Sequence, residues 1–339
     1  EALEHLIPMG WQDDIGDAVA YHHGGDVHKP LTQAVRVADW LAASERFTGE
    51  HIQQKPEQTP LIPITARVSL DKSPDFQQIW GYPLGDLSER QGILFPEKDV
   101  TVSETDYLKI WQEYFLPKIQ AFPGPIDSFV RMYGLLDLLL DTTAYMPSAT
   151  PWEEEEMERT IPDVSLYNHL HLTAAIAACL IRLHPDDLAM LHGFGGRHVR
   201  ETQNITVARL FKVDFSGIQA FIYRVTEPSG ERGFRHTAKR LRGRSLYLAL
   251  LNQAIGDWLM RRLALPPTNI IYAGGGVLEV LLPPDAPMEE RLAQAMQVLE
   301  EGMWHAFQGD LGVVHAMVPM QPGDFKDVRQ IRLDLEQSV

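Results

Sequence analysis

The sequence predicts an α+β protein in which a mostly helical region is followed by a βαββαβ domain. Apolar residues recur at helical spacing in the N-terminal half, most clearly in Leu31–Phe47. A strand-like run, Leu210–Phe215, then begins a series of strand, helix, strand, tight turn and strand that ends near Leu282. A further helix, Met288–Trp304, and a last strand, Gly312–Pro319, complete the ferredoxin-like order of elements.

We expect two domains, a helical domain over residues 1–203 and the βαββαβ domain over residues 204–330. Short strands are expected within the helical domain, around residues 61–96, where Leu61–Leu70 is apolar and β-branched with a proline on its edge. The helices predicted there from periodicity are Asp14–Tyr21, Leu31–Phe47, Tyr107–Ile119, Ile126–Leu140 and Leu166–Leu183.

Composition and charge exclude several classes of protein. The net charge of −16 over 339 residues argues against a protein that coats nucleic acid with its whole surface. Residues 232–244 reverse that balance locally, with six Lys or Arg and no acid. No apolar run reaches the roughly 18 residues of a membrane span, so no membrane partner is expected. The single cysteine, Cys179, is expected to be buried filler rather than a nucleophile, and fits a reducing cytoplasm.

The βαββαβ domain carries residues suited to a nucleotide. Asp214 ends its first strand, and Ser216 and Gly217 follow with backbone N–H groups at the start of a helix. The glycine turn Gly274, Gly275, Gly276 lets backbone approach a ligand closely. The cations that could meet phosphates are Lys239, Arg240, Arg242 and Arg244. Taken singly, the glycines could form an ordinary hairpin turn and the cations a solvated helix face; together they favour nucleotide binding.

The N-terminal helices carry a candidate metal site. His22 and His23 stand at the end of one predicted helix, and Asp39 lies beside the apolar stripe of the next. Neutral imidazoles and carboxylates suit a divalent ion that polarises a phosphate and activates water, as in metal-dependent phosphohydrolases of the HD type. The alternative is that the histidines cap their helix and Asp39 forms an intramolecular ion pair.

Three motifs in order resemble the first palm domain of the large subunit of type III CRISPR interference complexes, of the Csm type. They are Val213–Tyr223, Lys239–Leu248 and Tyr272–Gly276, and a further match lies upstream at Asp163–Leu170 and Thr173–Ala177. The resemblance covers most of the chain and corresponds to the N-terminal part of that family. It implies an HD-like helical domain followed by a palm.

The resemblance also implies a function for each domain. The palm would contribute half of an ATP and Mg²⁺ site for cyclic oligoadenylate synthesis, and the HD-like domain would use a divalent transition metal to cleave single-stranded DNA. The implied partners are other subunits of the complex, guide RNA, target RNA and single-stranded DNA, in the cytoplasm. The implied residues are Asp214, Ser216, Gly217, Arg240, Arg244 and Gly274–Gly276 for nucleotide, Lys239 and Arg242 for RNA or phosphate, and His22, His23, Asp39 and His169 for metal.

Two departures from the family pattern limit these expectations. The chain contains no His-Asp dipeptide, and Asn168 stands where the family has an aspartate, which predicts a degenerate metal site. It also contains no Gly-Gly-Asp-Asp motif, which the family carries in a second palm, so no residue here is assigned as catalytic. Two alternatives stay open: a stand-alone HD-type metal phosphohydrolase, and a non-catalytic scaffold subunit.

Overall fold

The structure is a computed structural model. It describes residues 3–25, 27–43, 48–49, 58–67, 80–87, 95–148, 159–196, 198–202, 204–223 and 237–338. The chain forms two compact units: unit 1 comprises Glu1–Thr32 and Ala42–Thr173, and unit 2 comprises Gln33–Leu41 and Ala174–Val339. Residues 174–203 thus group with the βαββαβ domain, and the boundary expected between residues 203 and 204 stays a prediction.

The first two-thirds of the described chain is mainly helical. Its helices are α1 Gln12–Tyr21, α2 Pro30–Ala42, α3 Glu104–Lys109, α4 Leu116–Ala121, α5 Phe129–Thr143, α6 Leu166–Leu180 and α7 Pro185–Phe194. A π-helical turn, Ile110–Phe115, joins α3 to α4. Two short antiparallel pairs accompany the helices: β1 Thr48–Gly49 with β4 Arg159–Thr160, and β2 Trp80–Gly81 with β3 Glu97–Lys98.

One predicted strand is wrong in part. Ile64–Arg67 forms a 3₁₀ helix rather than the middle of a strand, and residues 68–70 lie outside the described residues. Leu61 and Ile62 do make strand-like hydrogen bonds, Ile62 to Pro162 and Tyr82 to Leu61. These strand-like hydrogen bonds do not continue past Ile62 because Pro63 has no backbone N–H to donate.

The helix predicted over Tyr107–Ile119 is present as α3, the π-helical turn and α4, and its aromatic and apolar side chains are only partly buried. Phe115 packs against Leu6, Ile119 and Leu138. Leu108 and Trp111 are each 48% exposed. They line a cleft of about 480 Å³ between the π-helical turn, α5 and α6.

Unit 2 contains the βαββαβ domain. Its elements are β5 Ala208–Ser216, α8 Ile218–Tyr223, α9 Thr237–Leu263, β6 Ile270–Gly274, β7 Val277–Leu282, α10 Ala286–Phe307 and β8 Gly312–Met320, followed by α11 Arg329–Ser338. The basic segment, residues 232–244, forms the start of α9 from Thr237 onward. Residues 232–236 of that segment lie outside the described residues.

The four strands form an antiparallel sheet in the order β6-β7-β5-β8. This is the strand order of a ferredoxin-like domain, as the sequence predicted. Helices α9 and α10 cover one face: a Cβ added to Gly256 of α9 would lie 3.2 Å from Leu278, and Glu300 of α10 lies 3.4 Å from His315. Within the described ranges, no helix combines the length and apolar content needed to cross a membrane.

Candidate nucleotide site

The end of β5 and the turn between β6 and β7 lie at the same edge of the sheet. Asp214 is in register with Val277, and Val277 is also in register with Gly274 across the hairpin. The backbone N–H of Phe215 donates to the carbonyl of Gly276 at 2.9 Å. The fold therefore brings Asp214–Gly217 and Gly274–Gly276 together, and these two segments are called the candidate nucleotide site below.

The glycines of the candidate nucleotide site serve different purposes. Gly217 has φ +86°, and a Cβ there would lie 2.5 Å from the carbonyl oxygen of Asp310. Gly276 has φ +88° and is packed against Ile218. Both are required by the packing of the fold itself. Gly275 is exposed, and a Cβ there would meet nothing within 4 Å, so a ligand could approach the backbone at this position.

Two carboxylates near the candidate nucleotide site, Asp214 and Glu279, have cationic partners. Lys212 Nζ lies 3.5 Å from Asp214 Oδ2. Arg332 of α11 donates to Glu279 Oε2 at 2.9 Å. A divalent ion held by the protein would need several oxygen ligands that are not neutralised in this way. The residues present therefore do not fit a Mg²⁺ site built by this palm alone.

The cations predicted for phosphates lie on the first turns of α9. Lys239, Arg240 and Arg242 are exposed. The first turn of α9 contains no acid, and cations there face the positive end of the helix dipole. This unfavourable arrangement is relieved by an anionic partner, which agrees with the predicted phosphate contacts.

Arg244 has a structural role beside its predicted contact with nucleotide. Its Nη1 donates to the carbonyl oxygens of Phe221 at 2.9 Å and Ile222 at 3.2 Å, and its guanidinium lies 5.8 Å from the centre of the Phe221 ring. These carbonyls end α8, where a cation is favourable. Arg244 thus holds α8, and with it the adjacent Ser216–Gly217 segment, against α9.

Two residues that support the candidate nucleotide site were missed from the sequence. Asn252 of α9 is 1% exposed, and its Nδ2 donates to the carbonyl of Val277 at 2.9 Å, just after the glycine turn. Lys212 is 9% exposed and carries the ion pair with Asp214. The period of two along a strand could have shown that Lys212 and Asp214 share a face. No signal in the sequence indicated the contact made by Asn252.

The predicted metal ligands are distributed over both units. The rings of His22 and His23 lie 3.9 Å apart, directly after α1, and His22 Nδ1 donates to the carbonyl of Val19 at 2.8 Å. That bond leaves Nε2 of His22 as the ring atom that can accept a metal. His169 is buried in α6, whereas Asp39 lies on α2 in unit 2.

Among the residues that the structure describes, no group of three or more His, Cys, Asp or Glu side chains could hold a metal ion. The predicted set of His22, His23, Asp39 and His169 therefore stays a prediction. Asn168 is exposed on α6 next to buried His169. Cys179 is fully buried, and burial raises the pKa of its thiol, so it cannot act as a nucleophile near neutral pH.

Comparison with known proteins links this fold to one family. Residues 207–338 match the family model described as "Csm1 subunit domain B". A curated relative from Methanocaldococcus jannaschii, a "CRISPR system single-strand-specific deoxyribonuclease Cas10/Csm1 (subtype III-A)", is 26% identical over 96% of this chain and 41% of its own length. The protein with the same description from Mycobacterium tuberculosis is 31% identical over 56% of this chain and 22% of its own length.

Solved structures agree on the fold. A Csm1–Csm4 cassette in complex with pppApA superposes with a TM-score of 0.65 at 20% identity, covering 91% of this chain and 36% of that chain. Csm1 from T. onnurineus gives a TM-score of 0.61 at 22% identity, covering 90% and 37%. The chain thus spans about two fifths of the length of these proteins. Residues 207–338 thus match the Csm1 domain B family, and the chain as a whole is similar in sequence and in fold to part of Cas10/Csm1 proteins.

Proposed function

We propose that this chain works within an RNA-guided type III CRISPR effector complex in the cytoplasm, where its palm supplies half of an ATP site for cyclic oligoadenylate synthesis. The observation that carries the proposal is the meeting of Asp214–Gly217 with Gly274–Gly276 at one edge of the ferredoxin-like sheet. It is supported by solved relatives of the same fold, which are Csm1–Csm4 cassettes in complex with ATP, AMPPNP and cA4.

Each residue of the candidate nucleotide site has a proposed role. Backbone N–H groups of Gly217 and Gly275 bind phosphate oxygens, next to Ser216 at the end of β5, with Gly274 and Gly276 shaping the turn. Arg240 adds positive charge, and Arg244 holds α8 in place. Lys239 and Arg242, exposed beside them, contact RNA or further phosphates.

Magnesium would reach this palm bound to the triphosphate, where it neutralises charge on the phosphates. Asp214 lies in the proposed nucleotide site, and its pairing with Lys212 means that it does not hold the metal ion by itself. Synthesis needs further carboxylates to activate the attacking hydroxyl, and this sequence has no Gly-Gly-Asp-Asp motif to supply them. The proposed partners are therefore other subunits of the complex, together with guide and target RNA.

We expect the chain by itself to bind ATP weakly and to make no cyclic product. Binding should weaken about tenfold in Arg240→Ala, the loss of about 1.4 kcal/mol that corresponds to one exposed phosphate contact. The matched control is Arg291→Ala, an exposed arginine on α10 of the same domain, which should leave the Kd unchanged. ATP titration by calorimetry measures both, and chromatography of products after incubation with ATP and Mg²⁺ measures synthesis.

Two results would contradict this half-site proposal. If ATP does not bind at all, the non-catalytic scaffold becomes the better description of the palm. If the chain alone makes cyclic oligoadenylate and Asp214→Ala abolishes it, the first palm is catalytic by itself.

For the HD-like helical domain, we propose a site that is degenerate for cleavage of single-stranded DNA. The support is the missing His-Asp dipeptide and the exposed Asn168 in place of a carboxylate, a poorer ligand for a divalent cation. We expect no metal-dependent cleavage of single-stranded DNA in the presence of Mn²⁺ or Ni²⁺. The readout is electrophoresis of a labelled oligonucleotide.

His22→Ala and Asp39→Ala are the controls for that assay. Cleavage that appears in the unmodified chain and disappears in both variants would show an intact metal site. It would favour the alternative of a metal phosphohydrolase, for which the hydrogen bond from His22 to Val19 is the supporting observation.

A further inference from the structure

The sheet of the βαββαβ domain has one face that α9 and α10 do not cover. On β5 this face carries Leu210, Lys212 and Asp214, because alternate residues of a strand point the same way. Glu279 of β7 is in register with Lys212, so it lies on the same face and next to it. This face is called the Lys212 face below.

Each of the two acidic side chains on the Lys212 face forms an ion pair with a basic side chain. Lys212 is 9% exposed, and its ammonium lies 3.5 Å from Asp214. Glu279 is 8% exposed, and its carboxylate accepts a hydrogen bond from Arg332 of α11 at 2.9 Å. Buried charges of this kind require partners, since an ion moved out of water without one is strongly disfavoured. The Lys212 face is therefore a chain of alternating charges, two acids and two bases, drawn from β5, β7 and α11.

This chain of charges has a consequence for metal binding. A divalent cation on Asp214 would lie within a few ångströms of the Lys212 ammonium, which is nearly buried and so poorly screened by water. Glu279, the neighbouring acid, is already occupied by Arg332. Asp214 alone would be left as ligand, whereas Mg²⁺ is bound by one or two carboxylates together with substrate phosphates.

We propose that Lys212 is the permanent counter-ion of Asp214 and that the Lys212 face takes no divalent cation of its own. The palm domain then keeps an acid at the end of its first strand for charge balance and not for metal binding. Any metal ion used with ATP at this edge comes with the nucleotide or is held by other carboxylates. The proposal does not depend on ATP binding, because its test uses no nucleotide.

The experiment measures Mn²⁺ binding to the whole chain by electron paramagnetic resonance, without nucleotide. All variants carry His22→Ala and His23→Ala, so that the histidine pair after α1 does not contribute. We expect Asp214→Asn, which keeps the shape of the side chain, to bind the same number of Mn²⁺ ions as its parent. A loss of one bound Mn²⁺ in Asp214→Asn would overturn the proposal.

Removing both cations provides the positive test. Lys212→Met combined with Arg332→Met leaves the Asp214 and Glu279 carboxylates without these partners and should create one Mn²⁺ site with at least tenfold tighter binding than the parent shows. Adding Asp214→Asn should abolish that site. Lys212→Arg keeps the charge and should gain nothing. A folded chain with both Lys212→Met and Arg332→Met that binds no additional Mn²⁺ would also overturn the proposal, because something other than these two cations would then exclude the metal. If Lys212→Met does not fold, Lys212→Gln replaces it. The number of Mn²⁺ ions bound by Asp214→Asn and by its parent still tests the proposal.

Discussion

Replacing Lys118 with methionine is expected to destabilise the helical unit by about 2–4 kcal/mol, near the lower end of the cost of breaking a buried ion pair. Lys118 lies on α4, and its ammonium is 2.7 Å from Asp86 and 3.2 Å from Asp141. The carboxylate of Asp86 is completely buried. Burial opposes the charge of Lys118, but hydrogen bonds to Asp86 and Asp141 overcome it and raise the pKa of the ammonium. Without Lys118, Asp86 would be a buried charge deprived of its cation.

The chain offers a matched control for this substitution. Lys29 also bridges two aspartates, Asp14 at 3.0 Å and Asp17 at 2.6 Å, but all three side chains are 40% exposed or more. Exposed ion pairs contribute little because water screens them, so Lys29→Met should leave stability almost unchanged. Hydrogen exchange of the amides in α4 and α5 measures the local free energy of opening in both variants. Equal effects from the two substitutions would show that burial of Asp86 does not decide the outcome.

Gly217→Ala is expected to destabilise the palm by about 2–5 kcal/mol. The positive φ of Gly217 costs an alanine about 1–2 kcal/mol, and the new methyl would meet the backbone oxygen of Asp310 at 2.5 Å. Backbone cannot move aside as a flexible side chain can, so overpacking adds about 1–3 kcal/mol. Denaturant unfolding followed by the amides of β5 and β8 gives the measurement.

Gly275→Ala is the control for Gly217→Ala. Gly275 also has a positive φ, +62°, but its added Cβ would meet nothing within 4 Å. Only the conformational cost of about 1–2 kcal/mol remains. The difference between the two variants therefore isolates the contact with Asp310. If Gly275→Ala costs as much as Gly217→Ala, the close approach to Asp310 is not what makes Gly217 necessary.

Much of the fold could be predicted because the spacing of apolar residues and the position of the glycines are local features of the sequence. The period of two in Leu210–Phe215 and the helical period in Met288–Trp304 correspond to β5 and α10, and the glycine run marks the hairpin. The prediction was wrong at Ile64–Arg67, where apolar and β-branched residues suggested a strand. The neighbouring prolines have no backbone N–H to donate to a sheet, so a strand here would lack hydrogen bonds. The β-propensity of the individual residues does not reflect this loss.

The sequence by itself determined the order of elements in the palm, the glycine turn and the excess of cations at the start of α9. These follow from residue type and spacing along the chain, which act over a few residues. Only the tertiary structure decided what the individual side chains do. Arg244 is bound to the end of α8, and Lys212 and Arg332 neutralise Asp214 and Glu279. The pairings of Arg244 with α8 and of Arg332 with Glu279 depend on how the helices pack, since they join residues distant in sequence whose positions are set by burial of the common core.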